Sequence, residues 1–494
     1  MRLLLFLKYA DFSHYADYFN GMEDENIVQA IPNAKASEWM EENIPLFECP
    51  QHNFEEMYYY RWWSIRKHIK ETPVGYGMTE FLVQRSYSDK YNLIACAIGH
   101  HIYESRWLRD PKYLDQIIHT WYRGNDGGPM KKMDKFSSWN ADAVLARYMV
   151  DGDKDYLLDM KKDLETEYQR WERTNRLKNG LYWQGDVQDG MEESISGGRR
   201  KKYARPTINS YMYGNAKALS CIGILSGDEG MAMKYGMRAD TLKNLVENEL
   251  WNTRHQFFET MRTDSSANVR EAIGYIPWYF NLPDTTQKYE IAWKEIMDEK
   301  GFSAPYGLTT AERRHPEFRT RGVGKCEWDG AIWPFASAQT LTAMANFMNN
   351  YPQTVLSDSV YFRQMELYVE SQYHRGRPYI GEYLDEVTGY WLKGDQERSR
   401  YYNHSTFNDL IITGLIGLRP RLDNTIEVNP LIPADKWDWF CLDNVLYHGH
   451  NLTILWDKNG DRYHCGKGLR IFVDGKEVGQ ADTLTKIVCE NALK

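Results

Sequence analysis

The chain has 494 residues, more than a single compact core usually holds, so one large domain with small appendages, or two to three domains, are expected. Its 69 acidic and 60 basic residues give a net charge of -9, which argues against binding nucleic acid or an anionic membrane through a dominant positive field. A neutral or weakly charged ligand fits this balance better. No stretch approaches the roughly 18 apolar residues of a membrane-spanning helix.

The aromatic content is high, with 17 Trp, 35 Tyr and 18 Phe. Trp and Tyr rings present flat apolar faces with a polar edge, and such faces pack well against the C–H face of a sugar ring. The content therefore favours a carbohydrate ligand, although a large helical core would account for most of these residues.

Motifs for metals and nucleotides are absent from the sequence. The seven Cys are scattered without C-x-x-C spacing, so they predict neither a zinc site nor a disulfide framework. There is no H-E-x-x-H, no G-x-S-x-G, no P-loop and no dinucleotide-binding fingerprint. We therefore expect chemistry without a metal or another cofactor. Nothing in the sequence indicates an oligomeric state.

Residues 1–37 are expected to form an N-terminal extension, since they are polar and aromatic without a clear period. The apolar stretch from Leu3 to Leu7 is cut short by Lys8. It could be the stub of an export signal joined to the mature chain near Ala10, but it is too short to count as one. This start suggests a periplasmic or secreted protein and does not exclude a cytoplasmic one.

Residues 38–418 repeatedly show the apolar spacing of buried helices. The second predicted helix has one apolar stripe, formed by Phe54, Met57, Tyr58, Trp62, Ile65 and Ile69. Another helix should begin at Pro206, where the missing N–H costs nothing, and end before Gly227. A late helix is predicted to be capped by Ser405 and to end at Gly417. Ten to twelve such segments, without a fixed sequence repeat, predict paired helices that close on themselves.

Charged side chains interrupt the apolar pattern of the early helices. They are Glu80, His100, His101, Glu104 and Arg106. About half of such a set is expected to lie on the surface or to be satisfied inside the core, and the others to point into the mouth of a barrel.

Four carboxylates crowd the Gly-punctuated stretch YWQGDVQDGMEESISGG: Asp186, Asp189, Glu192 and Glu193. Their proximity to one another, beside Trp183 and Met191, could raise one pKa enough for that group to act as an acid near neutrality. A solvated acidic loop is the alternative interpretation. The basic run from Arg199 to Lys202, followed by Arg205, could contact a uronic acid or phosphate on a substrate, and a solvated loop is again the alternative.

A second acidic stretch, IGEYLDEVTGYW, carries Glu382, Asp385 and Glu386. Trp391 follows closely, and a solvated turn ended by Gly389 is the alternative interpretation. Both acidic stretches lie in glycine-containing connections, which a barrel would bring onto one rim. Asn403 and His404 precede the last helix and could reach a sugar hydroxyl.

From residue 419 the apolar pattern changes to period two, which predicts a small β-rich domain over 419–494. The alternating residues are Ile426 and Val428, then Leu452, Ile454 and Trp456, then Ile471 and Val473. Asn459-Gly460 and Asp474-Gly475 are the predicted hairpin turns between these strands.

The first acidic stretch resembles known sugar-cleaving enzymes. GMEES resembles the acid-bearing segment of glycoside hydrolase families 63 and 37, the processing α-glucosidases and trehalases, where a Gly-Met-Asp-x-Ser or Trp-Asp-x-Ser string carries the proton donor. The match places Glu192 at the donor position, with Glu replacing the Asp of family 63. DGMEES is also similar to the Asp-Leu-Trp-Glu-Glu string of fungal glucoamylases, where Asp189 falls on a residue that lines the sugar site. Asp189 and then Asp186 are the next choices for the donor.

Two later segments extend this resemblance, which reaches from roughly residue 180 to 410. EYLDEVTGYW resembles the base-bearing Glu-Asn-Tyr-Asn-Pro-x-Thr-Gly string of family 63 and the bacterial mannosylglycerate hydrolases, and so places Glu382 on the general base. CEWDGAIWPFASAQTL is similar to the Trp-x-Gly-x-x-Trp-Pro element of the same group. That element would begin a helix at Pro334 and offer Trp328 to a sugar. The order and spacing of the three motifs carry the resemblance.

The resemblance implies a mainly α fold, an (α/α)6 barrel over 38–418 with a small C-terminal β domain. It implies an inverting glycosidase in which Glu192 protonates the glycosidic oxygen and Glu382 activates the attacking water. The expected sugar contacts are Asp189, Trp328, Trp333, Trp391, Asp186, Arg205 and His404. An exo-acting enzyme on plant or microbial glycans is expected, with glucose, mannose, arabinose and galactose all possible.

Two other classes of function compete with this interpretation. A polysaccharide lyase or sugar epimerase on a helical toroid would need a Tyr or His base and an Arg to neutralise a uronate, and His100, His101 and the basic run could serve. A non-catalytic glycan-binding protein is the other. The sequence favours the hydrolase over the lyase, and the lyase over the binding protein.

Overall fold

The protein is described by a computed structural model that covers residues 6–493. Up to residue 415 these residues are mainly helical, with short two-stranded hairpins in the connections. The α-helices of the described part are α1 (Ser13–Asn20), α2 (Ala36–Asn43), α3 (His52–Lys67), α4 (Ile98–Ser105), α5 (Pro111–Arg123), α6 (Asn140–Asp151), α7 (Lys154–Asn175), α8 (Pro206–Ser226), α9 (Glu229–Leu245), α10 (Ile276–Tyr279), α11 (Pro334–Asn350), α12 (Asp358–Ser371) and α13 (Asn408–Leu410), which continues as a π-helix (Ile411–Leu415).

The strands form one larger sheet and several short pairs. They are β1 (Leu46–Glu48), β2 (Ile69–Thr72), β3 (Gly75–Met78), β4 (Trp183–Gln184), β5 (Tyr203–Ala204), β6 (Trp251–Asn252), β7 (Phe257–Phe258), β8 (Ser303–Ala304), β9 (Gly307–Leu308), β10 (Tyr373–His374), β11 (Arg377–Pro378), β12 (Ile426–Val428), β13 (Trp439–Tyr447), β14 (His450–Asp457), β15 (Gly468–Val473), β16 (Lys476–Ala481) and β17 (Ile487–Cys489). Every strand pair is antiparallel.

Six helices contact one another in a closed circuit. In chain order α4 packs on α6, α6 on α8, α8 on α10, α10 on α11 and α11 on α13, and α13 returns to α4. We call these six the inner ring. Helices α7 and α9 pack outside α8, while α12 packs between α11 and α3. The inner helices α8 and α11 bury residues on nearly every side, as expected for helices covered all round.

Helix α8 shows how local sequence sets these boundaries. It begins with Pro206 at its first position and ends before Gly227, whose φ of 72° is the left-handed conformation that glycine adopts without strain. Both ends agree with the prediction. Helix α3 also carries the predicted stripe but ends at Lys67, so Ile69 instead begins β2.

The last inner helix has a different cap from the one predicted. Ser405 lies before the helix, and its Oγ accepts a hydrogen bond from Arg61 Nη2 at 3.1 Å. The free N–H groups of Phe407, Asn408 and Asp409 instead donate to the carboxylate of Glu104 at 2.9–3.2 Å. A residue more than 300 positions earlier therefore caps this helix, which the pattern around Ser405 could not indicate.

The C-terminal part forms a five-stranded sheet in the order β1-β13-β14-β15-β16. Strands β14 and β15 carry the predicted alternating residues, and the predicted strand at Ile426 is β12, which pairs with β17. Strand β1 comes from residues 46–48, far earlier in the chain, with Leu46 opposite Asp443. This sheet is therefore built from both ends of the sequence.

The start of the chain is attached to this sheet. The N–H groups of Phe6 and Leu7 donate to Asp443 Oδ2 at 2.7 and 2.8 Å. The rest of the apolar stretch that begins at Leu3 lies outside the described residues. Helix α1, which lies in the predicted N-terminal extension, packs on α3. In the described part of the chain, every helix is too short or too polar to cross a membrane.

Candidate active site

Loops that precede the inner helices enclose a cavity of about 330 Å³. Five of the six connections contribute, namely those before α4, α6, α8, α11 and α13. The lining residues are Glu80, Tyr87, Ile94, Cys96, Lys135, Phe136, Val187, Gly190, Glu192, Cys326, Trp333, Phe335, Glu382, Arg398, Tyr402 and His404. Both carboxylates selected from the sequence, Glu192 and Glu382, thus line one cavity.

Hydrogen bonds and a buried side chain hold the loop that carries Glu192 in place. Asp189 lies at its base and accepts hydrogen bonds from Arg205 Nε at 2.6 Å and Ser137 Oγ at 2.7 Å. Met191 is buried, and Gly190 has a φ of +73°, where a side chain would be strained. These anchors fix the backbone that leads into Glu192, whose side chain lines the cavity.

Burial dominates the electrostatics of Glu192. It raises the pKa of this carboxyl to about 7, and the negative charge of Glu382 is one of the further causes. A group with this pKa is substantially protonated near neutrality. It can therefore donate a proton under conditions where an ordinary Glu cannot.

Glu382 lies in a loop that is paired with the start of α11. The backbone of Leu384 exchanges two hydrogen bonds of 3.0 Å with Ile332, and this ladder sets the position of the neighbouring Glu382. Two cations lie beside Glu382 Oε2, Lys393 Nζ at 3.4 Å and Arg398 Nη2 at 3.3 Å. The carboxylate form is thus paired with positive charge, in contrast to Glu192.

A third carboxyl, Glu80, lines the same cavity from the connection between β3 and α4. Burial raises its pKa to about 8, and the charges of Glu382 and Glu192 add to the effect. Cys96 Sγ donates to Glu80 Oε2 at 3.3 Å. The neutral acid is therefore the prevailing form of Glu80 at neutral pH.

Aromatic rings form one wall next to Glu382. Trp328, Trp333 and Tyr383 stack in sequence, with ring centroids 4.4 and 4.6 Å apart and interplanar angles of 20°. Of these three, Trp333 lines the cavity. Trp328, predicted to meet the sugar, lies behind Trp333 and is buried. The structure thus places Trp328 as the support of the ring that faces the cavity.

His404 is on the cavity wall as predicted. Burial holds its pKa well below the ordinary value, so the imidazole is neutral. Neither ring nitrogen makes a hydrogen bond within the described residues. A neutral imidazole can both donate and accept, which suits contact with a hydroxyl group.

Three predicted sugar contacts in or next to the loop that carries Glu192, which we call the acid loop, lie outside the cavity wall. Asp189 and Arg205 form a fully buried ion pair, closed further by the Thr207 hydroxyl on Asp189 Oδ2. Asp186 is buried as well, and burial raises its pKa. A Cβ added to Gly197 would collide with the Asp186 carboxylate, which is therefore covered by backbone. These groups shape the loop, because ion pairing and burial leave them no free face.

Trp391, the remaining predicted contact, also packs away from the cavity. It belongs to a small separate cluster with Ile332, Tyr379 and Leu384, and its Nε1 donates to Tyr373 O at 3.1 Å. The backbone bridge between Leu384 and Trp391 explains this position, because it holds Trp391 against the loop that carries Glu382, which we call the base loop. Its role in the structure is to hold that loop.

The early charged residues divide between the two ends of the inner ring. Glu80 reaches the cavity, whereas Glu104 caps α13, as described above. Arg106 lies at the opposite end, where its Nη2 is 2.8 Å from Asp409 Oδ1. His101 Nε2 bonds to Asn403 O at 2.7 Å, and His100 packs edge-on against Trp139 and Phe335. Burial lowers the pKa of both histidines.

Several cavity residues have only weak signals in the sequence. Arg398 and Tyr402 lie 16 and 20 positions after Glu382, so proximity to the base loop is the clue that could have found them. Lys393, 11 positions after Glu382, contacts that carboxylate without lining the cavity. Lys135 and Cys96 come from other connections and have no such clue. Among the described residues, no group of three His, Cys, Asp or Glu side chains is placed to hold a metal ion.

Two family models match parts of the chain. The family model described as the mannosylglycerate hydrolase MGH1-like glycoside hydrolase domain matches residues 90–405, and the glycosyl hydrolase family 65 C-terminal domain matches residues 418–479. The first match includes the loops of Glu192 and Glu382. The second covers the part of the chain that forms β12 to β16.

Several solved structures are similar to this chain. A structure named Sialidase is 95% identical over 99% of this chain, with a TM-score of 0.98, and this chain spans 45% of its length. The family 63 mannosylglycerate hydrolase of Thermus thermophilus, solved with glucose, has a TM-score of 0.53 at 12% identity and covers 72% of this chain and 99% of its own. A GH78 rhamnosidase of Bacillus sp. GL1 has a TM-score of 0.58 at 11% identity, covering 87% and 41%.

The last two likenesses show a shared fold, and the family match shows membership, since it covers more than half of the chain. The chain belongs to the mannosylglycerate hydrolase MGH1-like glycoside hydrolase family, and a match to the glycosyl hydrolase family 65 C-terminal domain follows that region.

Proposed function

We propose that the chain is an inverting, exo-acting glycoside hydrolase in which Glu192 is the general acid and Glu382 the general base. One observation carries this proposal: the two carboxyls line the same cavity in opposite electrostatic surroundings. Burial favours the proton on Glu192, while Lys393 and Arg398 pair with the carboxylate of Glu382.

The proposed reaction follows from these two states. The Glu192 O–H protonates the glycosidic oxygen as the bond from that oxygen to C1 breaks. A water attacks C1 from the opposite face, and Glu382 accepts the proton that this water loses. The products are the free sugar with inverted C1 and the alcohol that carried it.

The proposed fold is an (α/α)6 barrel. The closed circuit of α4, α6, α8, α10, α11 and α13 supports it. A further helix separates each consecutive pair in sequence, namely α5, α7, α9, the 3₁₀-helix Glu290–Ile296 and α12. In this arrangement one end of every inner helix faces the same rim. We place the barrel at 38–418 and the β-rich domain at 419–494, with β1 as a strand that the first contributes to the second.

Exo action is supported by the shape of the cavity. Loops from five connections surround it, and its volume of about 330 Å³ is at the small end of ligand pockets. A chain with sugars on both sides of the cleaved bond would need a groove open at two ends. The cavity suits the terminal sugar of a glycan.

We further propose that the cleaved sugar is neutral. Arg398 lies beside Glu382, and Lys135 Nζ donates to Tyr87 O at 3.2 Å, so both cations among the described lining residues already have partners. An anionic sugar such as a sialic acid would have to draw one of these cations away and would lie near the Glu382 carboxylate. The 95% identical structure named Sialidase is longer than this chain, so a sialoside-cleaving part elsewhere in it is compatible with this assignment.

The decisive experiment replaces each carboxyl by its amide. Glu192→Gln and Glu382→Gln should each lower kcat by about 10² to 10⁴ on the best substrate from a panel of neutral and sialylated aryl glycosides. Glu193→Gln and Glu386→Gln serve as controls in the same two loops and should stay close to the parent. Circular dichroism of all four variants checks that the fold is intact.

The products distinguish the remaining mechanisms. NMR of the first anomer released should show the configuration opposite to that of the substrate. Retention would overturn the inverting assignment, and ultraviolet absorbance from an unsaturated sugar would show a lyase instead. Equal activity of the four variants and the parent would remove both carboxyls from the mechanism.

A further inference from the structure

A second cavity of about 490 Å³ lies behind the base loop. Its walls come from Met22, from Tyr60 of α3, from the β10–β11 hairpin and from residues 394–401. It has no lining residue in common with the catalytic cavity. Its volume is within the range of small-molecule sites, and it is large enough for a sugar.

Cationic side chains predominate in this cavity. Arg375, Arg377 and Arg400 line it together with two acidic residues, Asp395 and Glu397. Arg375 is 2.8 Å from Asp395, and Arg400 is 3.6 Å from Glu397, a distance too long for a hydrogen bond. Arg377 has no carboxylate partner among the described residues. The guanidinium of Arg377, an exposed side chain, is therefore free of carboxylates, and that of Arg400 is only loosely engaged.

Aromatic groups supply the other face. Tyr60, Tyr379 and Tyr401 line the cavity together with His374. Tyr60 itself is fully buried, so Tyr379, Tyr401 and His374 are the aromatic groups that a ligand would meet.

The wall of this cavity is also the support of the proposed base. Residues 393–400 form a strap with two faces. On one face, Lys393 and Arg398 lie beside Glu382. On the other face, Gly394 and Asp395 are held by the hairpin side, through Tyr379 Oη on Gly394 O at 3.1 Å and His374 Nε2 on Asp395 Oδ1 at 3.2 Å.

We propose that this second cavity binds a carboxylate-bearing sugar residue, of the uronic acid type. The carboxylate pairs with Arg377 and Arg400, since guanidinium groups match its two oxygens. The sugar ring packs against Tyr379, Tyr401 and His374. Binding here steadies the strap and hence the cations beside Glu382, a coupling that rests on the proposed role of Glu382.

Calorimetry with three small probes tests the site on the whole protein. The probes are methyl β-glucuronide, methyl β-glucoside and acetate. Methyl glucuronide should bind at least about tenfold more tightly than either of the others, because it alone offers both the ring and the carboxylate. Arg377→Ala should remove this preference. Arg363→Ala, at an exposed arginine of α12, is the matched control and should bind like the parent.

Equal affinity for glucuronide and glucoside, or for the glucuronide in the parent and in Arg377→Ala, would overturn the site. Acetate binding as tightly as the glucuronide would reduce it to a simple anion site and overturn the sugar. Because these are binding measurements, they stand even if the hydrolytic assignment fails. The coupling is read separately, as a change in kcat on adding methyl glucuronide that is absent in Arg377→Ala. An unchanged kcat in the parent overturns the coupling alone.

Discussion

At the residue scale, Glu192 links function to stability. Its carboxyl has an ordinary pKa in the unfolded chain and a pKa of about 7 in the folded protein, because folding buries it. Between these two values the folded state holds more protons than the unfolded state. The contribution to stability is therefore full at low pH and is lost as the pH rises through about 7.

Glu192→Gln should consequently stabilise the protein at alkaline pH. A shift from 4.5 to about 7 corresponds to about 3 kcal/mol of unfolding free energy at most, present near pH 8 and absent near pH 4. Urea unfolding of the variant and the parent at the two pH values measures this difference. A stabilisation that is equal at both would contradict a buried, proton-holding Glu192.

Glu80 gives a second prediction of the same kind. Because its pKa of about 8 keeps it neutral, an amide of the same shape should replace it well at neutral pH. We expect Glu80→Gln to retain kcat/KM within a few-fold, and Glu80→Ala to lose about tenfold or more, since a hydrogen-bond donor to substrate is removed. Equal losses in Glu80→Gln and Glu80→Ala, measured with the best aryl glycoside, would mean that Glu80 works as a carboxylate.

The candidate site shows which residue roles can be predicted from the sequence alone. Glu192 and Glu382 were chosen because short motifs around them resemble known acid and base segments. The sequence could not show that Asp189 is neutralised by Arg205, or that Trp328 stands behind Trp333, since both facts depend on which face of a loop is buried. Residues from distant connections, such as Glu80 and Lys135, reach the cavity only through the closure of the inner ring.

At the element scale, helices bounded by local signals were predictable and the others were not. Helix α8 carries its own Pro and Gly and was placed correctly at both ends. Helix α13 receives its cap from Glu104 of α4, through four hydrogen bonds to three consecutive N–H groups. This cap is a tertiary interaction, and the local signal at Ser405 was misleading.

Glu104→Ala should therefore be strongly destabilising. It leaves three buried N–H donors without acceptors, at about 1 to 3 kcal/mol each. We expect a loss of at least about 3 kcal/mol in unfolding free energy, measured by urea titration. Glu38→Ala, at an exposed Glu of α2 that pairs only with Lys35, is the control and should change stability by less than about 1 kcal/mol. Similar losses for the two variants would contradict the capping role of Glu104.

At the scale of the whole molecule, the helical part and the sheet are joined by β1. Phe47 of this strand is fully buried and packs against Tyr58 of α3 and against Trp437 beyond the helical part. Its backbone pairs with Leu442 of β13. Phe47 therefore contacts both parts, and β1 pairs with the sheet while it belongs to the helical part of the chain. We expect the two parts to unfold together.

Phe47→Ala should lower the unfolding temperature of both parts together, at a cost of about 3 to 5 kcal/mol for a large buried ring. Activity, which reports the helical cavity, and far-ultraviolet circular dichroism at the sheet signal should fall in one coincident transition on heating. Exposed Tyr18→Ala, also an aromatic residue before the sheet, is the control. Two separated transitions already in the parent would show that β1 does not couple the parts.

The shared strand has a consequence for synthesis of the chain. Leu46 emerges from the ribosome early, but its partner Asp443 is 397 positions later (443 − 46), and α13, which closes the inner ring, also lies beyond residue 407. Until then the nascent protein holds an open arc of helices and an unpaired strand. Long-range pairings of this kind form slowly, and apolar surface and an unpaired strand edge stay exposed until they have formed. Both closures require residues 408–447, so a ribosome that stalls shortly before Asn408 leaves the inner ring open and β1 unpaired.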